Sequence, residues 1–287
     1  MTGWFRSAVV LAASAAGLVA PAPLASQTPV DLSRERRDFA GWLHSASNSP
    51  FAAVAREPVG NGLSLGPSGS DIPLIGMEAH RIVQRGGLVT LESTTGHRPT
   101  PRGRPIGVGS YTLVVDGPAD RGVLTVFGAS RGGAAPQYFP YQRELAFEGG
   151  LRPPEHPGQV RILALDGNEV DASEAGSVEI PIDGAKVRLR VLRIPLGAGE
   201  ESDLEIFFRD GTNGQETYPA GRFVSLLPLG GGHYRLDFNR ARNPFCAYNS
   251  IYPCPAPWRG NTIPAPIRGG ERYAGGGLSD PPDAGAQ

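Results

Sequence analysis

The chain has 287 residues, with 27 Lys plus Arg against 28 Asp plus Glu and a formal net charge of −1. That balance excludes the basic excess of a nucleic-acid-binding surface, so no nucleic-acid partner is expected. Forty Gly and 28 Pro punctuate short apolar runs, a composition that fits a turn-rich β protein better than a helical one.

Residues 1–25 read as an export signal. Arg6 supplies the positive region, Ser7 to Ala20 the apolar run, and Ala22, Ala25 and Ser26 the small residues of a cleavage site. The run is shorter than the roughly 20 residues that cross a bilayer. No stable membrane span is therefore expected in the mature chain, and the expected location is the periplasm or the extracellular space. The alternative is an uncleaved anchor.

A helix is predicted over 28–48. Thr28 is placed as its cap, Pro29 in the first turn and Asp31 three positions after Thr28. Leu32, Phe39, Trp42, Leu43 and Ala46 recur near helical spacing, which points to an aromatic stripe packed on a sheet. Ser49-Pro50 closes the element. From Ile72 onward, β-branched and aromatic runs alternate with turn signals, among them Asp116-Gly117, Asp166-Gly167, Asp183-Gly184 and Asp210-Gly211. The fold class that follows is mainly β: antiparallel sandwich or barrel-like sheets with one N-terminal helix. A β-rich domain is expected over 50–273, with a signature block at 203–273. Glu200-Glu201 reads as a solvated loop and 274–287 as a disordered tail.

Within the block, Leu204–Asp210, Gln215–Ala220 continuing to Pro228, and His233–Asn239 are predicted as three consecutive antiparallel strands. Alternation puts Arg235, Asp237 and Asn239 on one face. If the Gly-rich loop Leu229–Gly232 closes without a bulge, Arg222 lies opposite Asn239 and reaches Asp237 diagonally. That would gather Arg222, Asp237 and Asn239 into one polar face. Asp210, Tyr218, Asn243 and Asn261 complete the ligand-binding candidates. A scaffold role competes with ligand contact throughout, because Arg–Asp pairs and Asn side chains also buttress irregular backbone.

Two Cys in an exported chain, Cys246 and Cys254, favour a disulfide. A reactive thiol would need a neighbouring base or positive field. Metal binding would need more than two sulfurs without a nearby His. The histidines His44, His80, His97, His156 and His233 show no ligand spacing, so no metal or other cofactor is implied. Gly128-Ala129-Ser130-Arg131-Gly132 matches G-x-S-x-G, but Gly133-Ala134-Ala135-Pro136 cannot open the helix that a nucleophile elbow requires.

The C-terminal block resembles a bacterial and archaeal family known as domain of unknown function sixteen-eighty-four. The resemblance is carried by Phe208, Asp210, Thr212, Gly214, Thr217, Tyr218, Gly221 and Arg222. It continues through Asp237-Phe238-Asn239, Ala241, Asn243-Pro244, Cys246-Ala247, Cys254-Pro255, Pro257 and Asn261. Phe245 and Trp258-Arg259 depart from its Pro-rich pattern. The resemblance extends more weakly back through Tyr138-Phe139-Pro140-Tyr141 to the N-terminal helix and Ser49-Pro50, and it supplies no established activity.

Two functions of different classes remain. One is an envelope module that binds a small molecule, glycan or peptide, its partner being an unknown small ligand or envelope component. The other is a hydrolase-like enzyme, with Asp237 as base, Arg222 or Asn239 as anion stabiliser and Cys246 as nucleophile if free. A carboxylate beside Arg has a lowered pKa and makes a poor base near neutrality, which favours binding. A structural envelope module without ligand is a third reading.

Overall fold

A computed structural model describes residues 29–155, 157–195, 202–256, 258 and 260–273. The export signal, the Thr28 cap, the Glu200-Glu201 loop and the 274–287 tail lie outside the described residues.

Helix α1 spans Pro29–Ser45, with Pro29 at its first position and Asp31 in its first turn. Ser49, fully buried, donates from Oγ to the Leu43 carbonyl at 2.6 Å, and Pro50 opens a 3-10 turn. The helix thus stops three residues short of the predicted end. Leu32 and Leu43 are buried. Phe39 and Trp42 stack on each other and meet Tyr248 and Phe245 of the Pro-rich excursion.

Nine strands follow: β1 (Ala53–Pro58), β2 (Leu63–Gly66), β3 (Ile72–Pro73), β4 (His80–Arg85), β5 (Leu88–Ser93), β6 (Gly96–Pro99), β7 (Ile106–Val108), β8 (Tyr111–Asp116) and β9 (Val123–Phe127). They form a four-stranded sheet ordered β1-β9-β8-β7 and a five-stranded sheet ordered β3-β2-β4-β5-β6. Leu65, Ile82, Val89 and Leu91 of the second sheet share one core with Leu113, Val115, Leu124 and Val126 of the first. The intervening Val114 and the terminal Phe127 join Cys246 and Tyr252 in a different cluster, as side-chain alternation across a pleated sheet demands.

The C-terminal half supplies β10 (Ala146–Gly150), β11 (Gln159–Leu163), β12 (Glu169–Ile182), β13 (Ala185–Pro195), β14 (Ser202–Phe208), β15 (Arg222–Gly230) and β16 (His233–Asp237). They make a seven-stranded sheet ordered β10-β16-β15-β14-β13-β12-β11. The β12–β13 hairpin turns on Asp183-Gly184, with φ of 49° and 76°, the left-handed pair that a two-residue hairpin loop needs. One face buries Ile180, Leu189, Ile206, Val224, Leu226, Leu236 and Phe238. The other buries Ala172, Leu192, Ile194, Phe207, Phe223 and Trp258. The fold is mainly β with one N-terminal helix, and no sheet closes into a barrel.

Two predicted elements are corrected. Gln215–Ala220 is a compact turn rather than a strand: the Gln215, Glu216 and Thr217 amides all donate to the Thr212 carbonyl. Gly221 ends it at φ 118°, where a Cβ would stand 2.5 Å from the Phe208 carbonyl oxygen. The β15–β16 hairpin also carries the bulge that the sequence expectation left out. Leu226 pairs with Leu236 and Pro228 with Tyr234, after which the register slips so that Gly230 pairs with His233. Gly230, Gly231 and Gly232 all have positive φ and absorb the extra residue.

Candidate functional site

That single-residue slip decides the expected polar face, because a register shift of one moves a side chain to the opposite side of the sheet. Arg222 pairs with Phe208 on β14 and points into the core face with Val224 and Leu226. Asp237 and Asn239 lie on the other face. The expected Arg222/Asp237/Asn239 cluster does not form.

Arg222 is fully buried and ties down the returning tail. Its Nη2 donates to Asp210 Oδ2 at 2.8 Å and to the Ile267 carbonyl at 2.8 Å, and its Nη1 to the carbonyls of Gly269 and Glu271 at 2.6 and 3.1 Å. Burial pushes its pKa down, and Asp210 opposes that shift. Asp210 also accepts from the Thr212 amide and hydroxyl and from the Ile267 amide, so it is an internal clamp as well as the residue that opens the turn, where its carbonyl accepts from the Asn213 amide.

The Asn261 side chain reaches Arg190 N, Arg190 O and Phe207 O at 2.8, 2.9 and 3.1 Å, completing the β13–β14 ladder beyond its last backbone pair. Asn239 does the same for Gln142, accepting from its amide at 2.9 Å and donating to its carbonyl at 2.7 Å. Asp237 Oδ1 caps the Asn239 amide at 3.0 Å, and its Oδ2 faces Arg235 at 3.8 Å. Tyr218 is buried, with its hydroxyl 3.2 Å from Cys254 Sγ and its pKa raised by burial. Cys246 and Cys254 form a disulfide, which leaves no free thiol for the hydrolase-like reading.

Two of the seven candidates line cavities. Asn243 borders a cavity of 240 Å³ beside Phe51 and Tyr248, and Asn239 borders a cleft of 110 Å³ between α1 and the segment that follows β16. The cleft wall carries three guanidinium groups, Arg36, Arg240 and Arg242, against one carboxylate, Glu35. Arg36 lies over the Tyr138 ring at 4.2 Å and donates from Nη2 to the Asn239 carbonyl at 2.9 Å. Arg240 pairs with Glu35 through Nε at 3.1 Å and Nη2 at 2.9 Å.

Arg242 holds Phe223 through both backbone groups, while its guanidinium sits 5.8 Å from the Phe39 ring centroid. Among the described residues that guanidinium makes no ion pair. Arg36 Nε and Arg240 Nη1 are buried without a hydrogen-bond partner. Burial pushes the Arg36 pKa down, and the nearby Tyr138, Asp237, Glu271 and Glu35 oppose that shift. Behind the lining Ser225, whose Oγ donates to it at 3.3 Å, Glu205 has its pKa pushed up to about 7 by burial, against the pull of Arg242. Such a cleft can hold an anion: the donors are in place, and Leu32 and Phe39 give it an apolar wall.

Sequence reasoning missed Arg36, Arg240, Arg242 and Tyr138. Arg240 and Arg242 interleave with the Asn239 and Asn243 positions already singled out, so their spacing was visible. Arg36 was not, because its partner lies 203 residues away. Ser130 is exposed, and no helix follows it.

No curated protein matches the chain. Among solved structures, the chain is similar to the solution NMR structure of an uncharacterized protein from gene locus rrnAC0354 of Haloarcula marismortui. The two share 30% identity over 48% of this chain and 76% of that one, with a TM-score of 0.42. The family model described as "Protein of unknown function (DUF1684)" matches residues 134–272, the half that contains the clamp, the ladder-completing asparagines, the disulfide and two of the three cleft arginines, and the chain belongs to that family.

Proposed function

We propose that the protein is an exported binding module of the cell envelope that takes a small anion, a carboxylate or phosphate group, in the cleft under α1. The observation that carries this reading is the pair of buried, unpartnered donors, Arg36 Nε and Arg240 Nη1, on one small basic cleft. An unmet buried donor costs about 1–3 kcal/mol, and an anionic oxygen would recover it. The guanidinium fork suits carboxylate and phosphate geometry. The N-terminal signal pattern and the disulfide support export.

Calorimetric titration with inorganic phosphate, acetate and succinate tests the binding reading. At least one should saturate with a single site, weaken as salt rises, and lose affinity about tenfold or more in Arg242→Ala at unchanged melting temperature. If all three anions give no heat and no thermal shift, the reading fails. For export, fractionation of the expressing cells should place a chain lacking its first residues outside the cytoplasm. A full-length cytoplasmic chain would remove that part.

A further inference from the structure

A second cavity, of 240 Å³, shares no lining residue with the arginine cleft. Its aromatic lining is Phe51, Tyr248 and Tyr273, and its polar lining includes Asn243, Glu271 and Arg272. The wall is built rather than loose. Residues 132–137 close one side, Arg131 donates from its amide to the Phe51 carbonyl at 3.0 Å, and the His44 ring meets the Gly133 carbonyl at 3.0 Å. Gly133 permits this closure, since a Cβ there would stand 2.4 Å from the Phe51 ring. Phe51 in turn packs edge-on against Tyr248 at 6.1 Å between centroids, and Tyr273 edge-on against Tyr218 at 4.9 Å.

The polar groups present acceptors. Glu271 is 1% exposed, accepting from the Asn243 amide at 2.9 Å through Oε2 and from the Tyr248 hydroxyl through Oε1. Asn243 is 2% exposed and its Nδ2 donates to the Arg272 carbonyl at 3.1 Å. Its Oδ1 is buried with no partner. A ligand here must therefore bring hydrogen-bond donors. An organic cation is disfavoured, because Arg272 lines the cavity and Arg242 and Arg222 act on Glu271. An anion is disfavoured by the acceptors themselves. What suits flat aromatic walls, an orphan amide oxygen and a carboxyl is a neutral ring bearing hydroxyls.

We propose that this cavity is a carbohydrate subsite for one neutral sugar ring, whose hydroxyls donate to Asn243 Oδ1 and the Glu271 carboxyl while its C–H face lies on the aromatic wall. The volume is below that of sites for drug-sized ligands, so it holds a single ring, free or at the end of a glycan.

Saturation-transfer NMR with methyl β-glucoside, methyl α-mannoside and methyl N-acetyl-β-glucosaminide tests this on the full mature chain. At least one glycoside should show saturable transfer to its ring protons that excess phosphate leaves in place. Asn243→Leu should weaken that binding tenfold or more. Ala135→Trp, which fills the cavity from an exposed loop position and spares the hydrogen bonds, should abolish it with the melting temperature preserved. Absence of transfer from all three glycosides, or binding that survives Ala135→Trp, overturns the proposal. Displacement of the glycoside by phosphate also overturns it, since that would assign the sugar to the arginine cleft.

Discussion

Arg222 Nη2 meets Asp210 Oδ2 at 2.8 Å with neither side chain exposed. Nη2 also donates to the Ile267 carbonyl and Nη1 to the carbonyls of Gly269 and Glu271, so one side chain fastens the C-terminal return to β14 and β15. Removing one partner of such a pair leaves a buried charge uncompensated, a loss of about 3–5 kcal/mol. Arg222→Met is accordingly expected to lower stability by that amount in urea unfolding. Arg222→Met combined with Asp210→Leu should recover part of it. A loss below about 1 kcal/mol would mean that the clamp is not structural.

Glu271 has its pKa pushed up to about 7 by burial, although Tyr248, the Asn243 amide, Arg242 and Arg222 pull it down. Glu205 is raised to about 7 for the same first reason. The folded chain thus holds these protons more tightly than the unfolded chain, whose Glu titrates near about 4.3. The stabilisation they give is complete below the unfolded pKa. It is lost as pH rises through the folded value, up to about 4 kcal/mol per group. Melting temperature should therefore fall from pH 5 to pH 8. Glu271→Gln should flatten part of that slope, its amide oxygen accepting from Asn243 N and its amide NH₂ donating to the Tyr248 oxygen.

Cys246 and Cys254 close a loop of sequence separation 8. Restricting the unfolded chain over so short a loop is worth about 2.5 kcal/mol on the chain-entropy account. Cys246→Ser with Cys254→Ser should cost about that much. The excursion should nonetheless stay docked, because Phe245 still contacts Tyr252 and Trp42. Guanidinium unfolding with and without reductant measures the first expectation, and tryptophan emission the second.

Asn261 completes the strand ladder with three side-chain hydrogen bonds to buried backbone. Asn261→Leu leaves those groups unmet, at about 3 kcal/mol or more in total. Amide hydrogen exchange gives the specific signature. The Arg190 N–H should lose its protection in the variant, while Leu189 and Val191 keep theirs longer.

Much of the architecture is local and therefore readable in the chain. Alternating apolar residues mark β4, β5, β8, β9 and the long β12–β13 hairpin, and Asp183-Gly184 encodes its own left-handed turn. The start and stop of α1 follow from Pro29 and from Ser49-Pro50. The cysteine pairing follows from there being two. Tertiary structure decided the site. Whether Gly230–Gly232 would absorb an extra residue is settled by strand twist and closure, yet that choice sends Arg222 to the core face and Asp237 to the other. The partners that give each polar residue its role arrive from far along the chain: Gly269 for Arg222, Gln142 for Asn239, Arg190 for Asn261 and Asn239 for Arg36. Periodicity reports which side of an element is buried. Only packing reports what is waiting there.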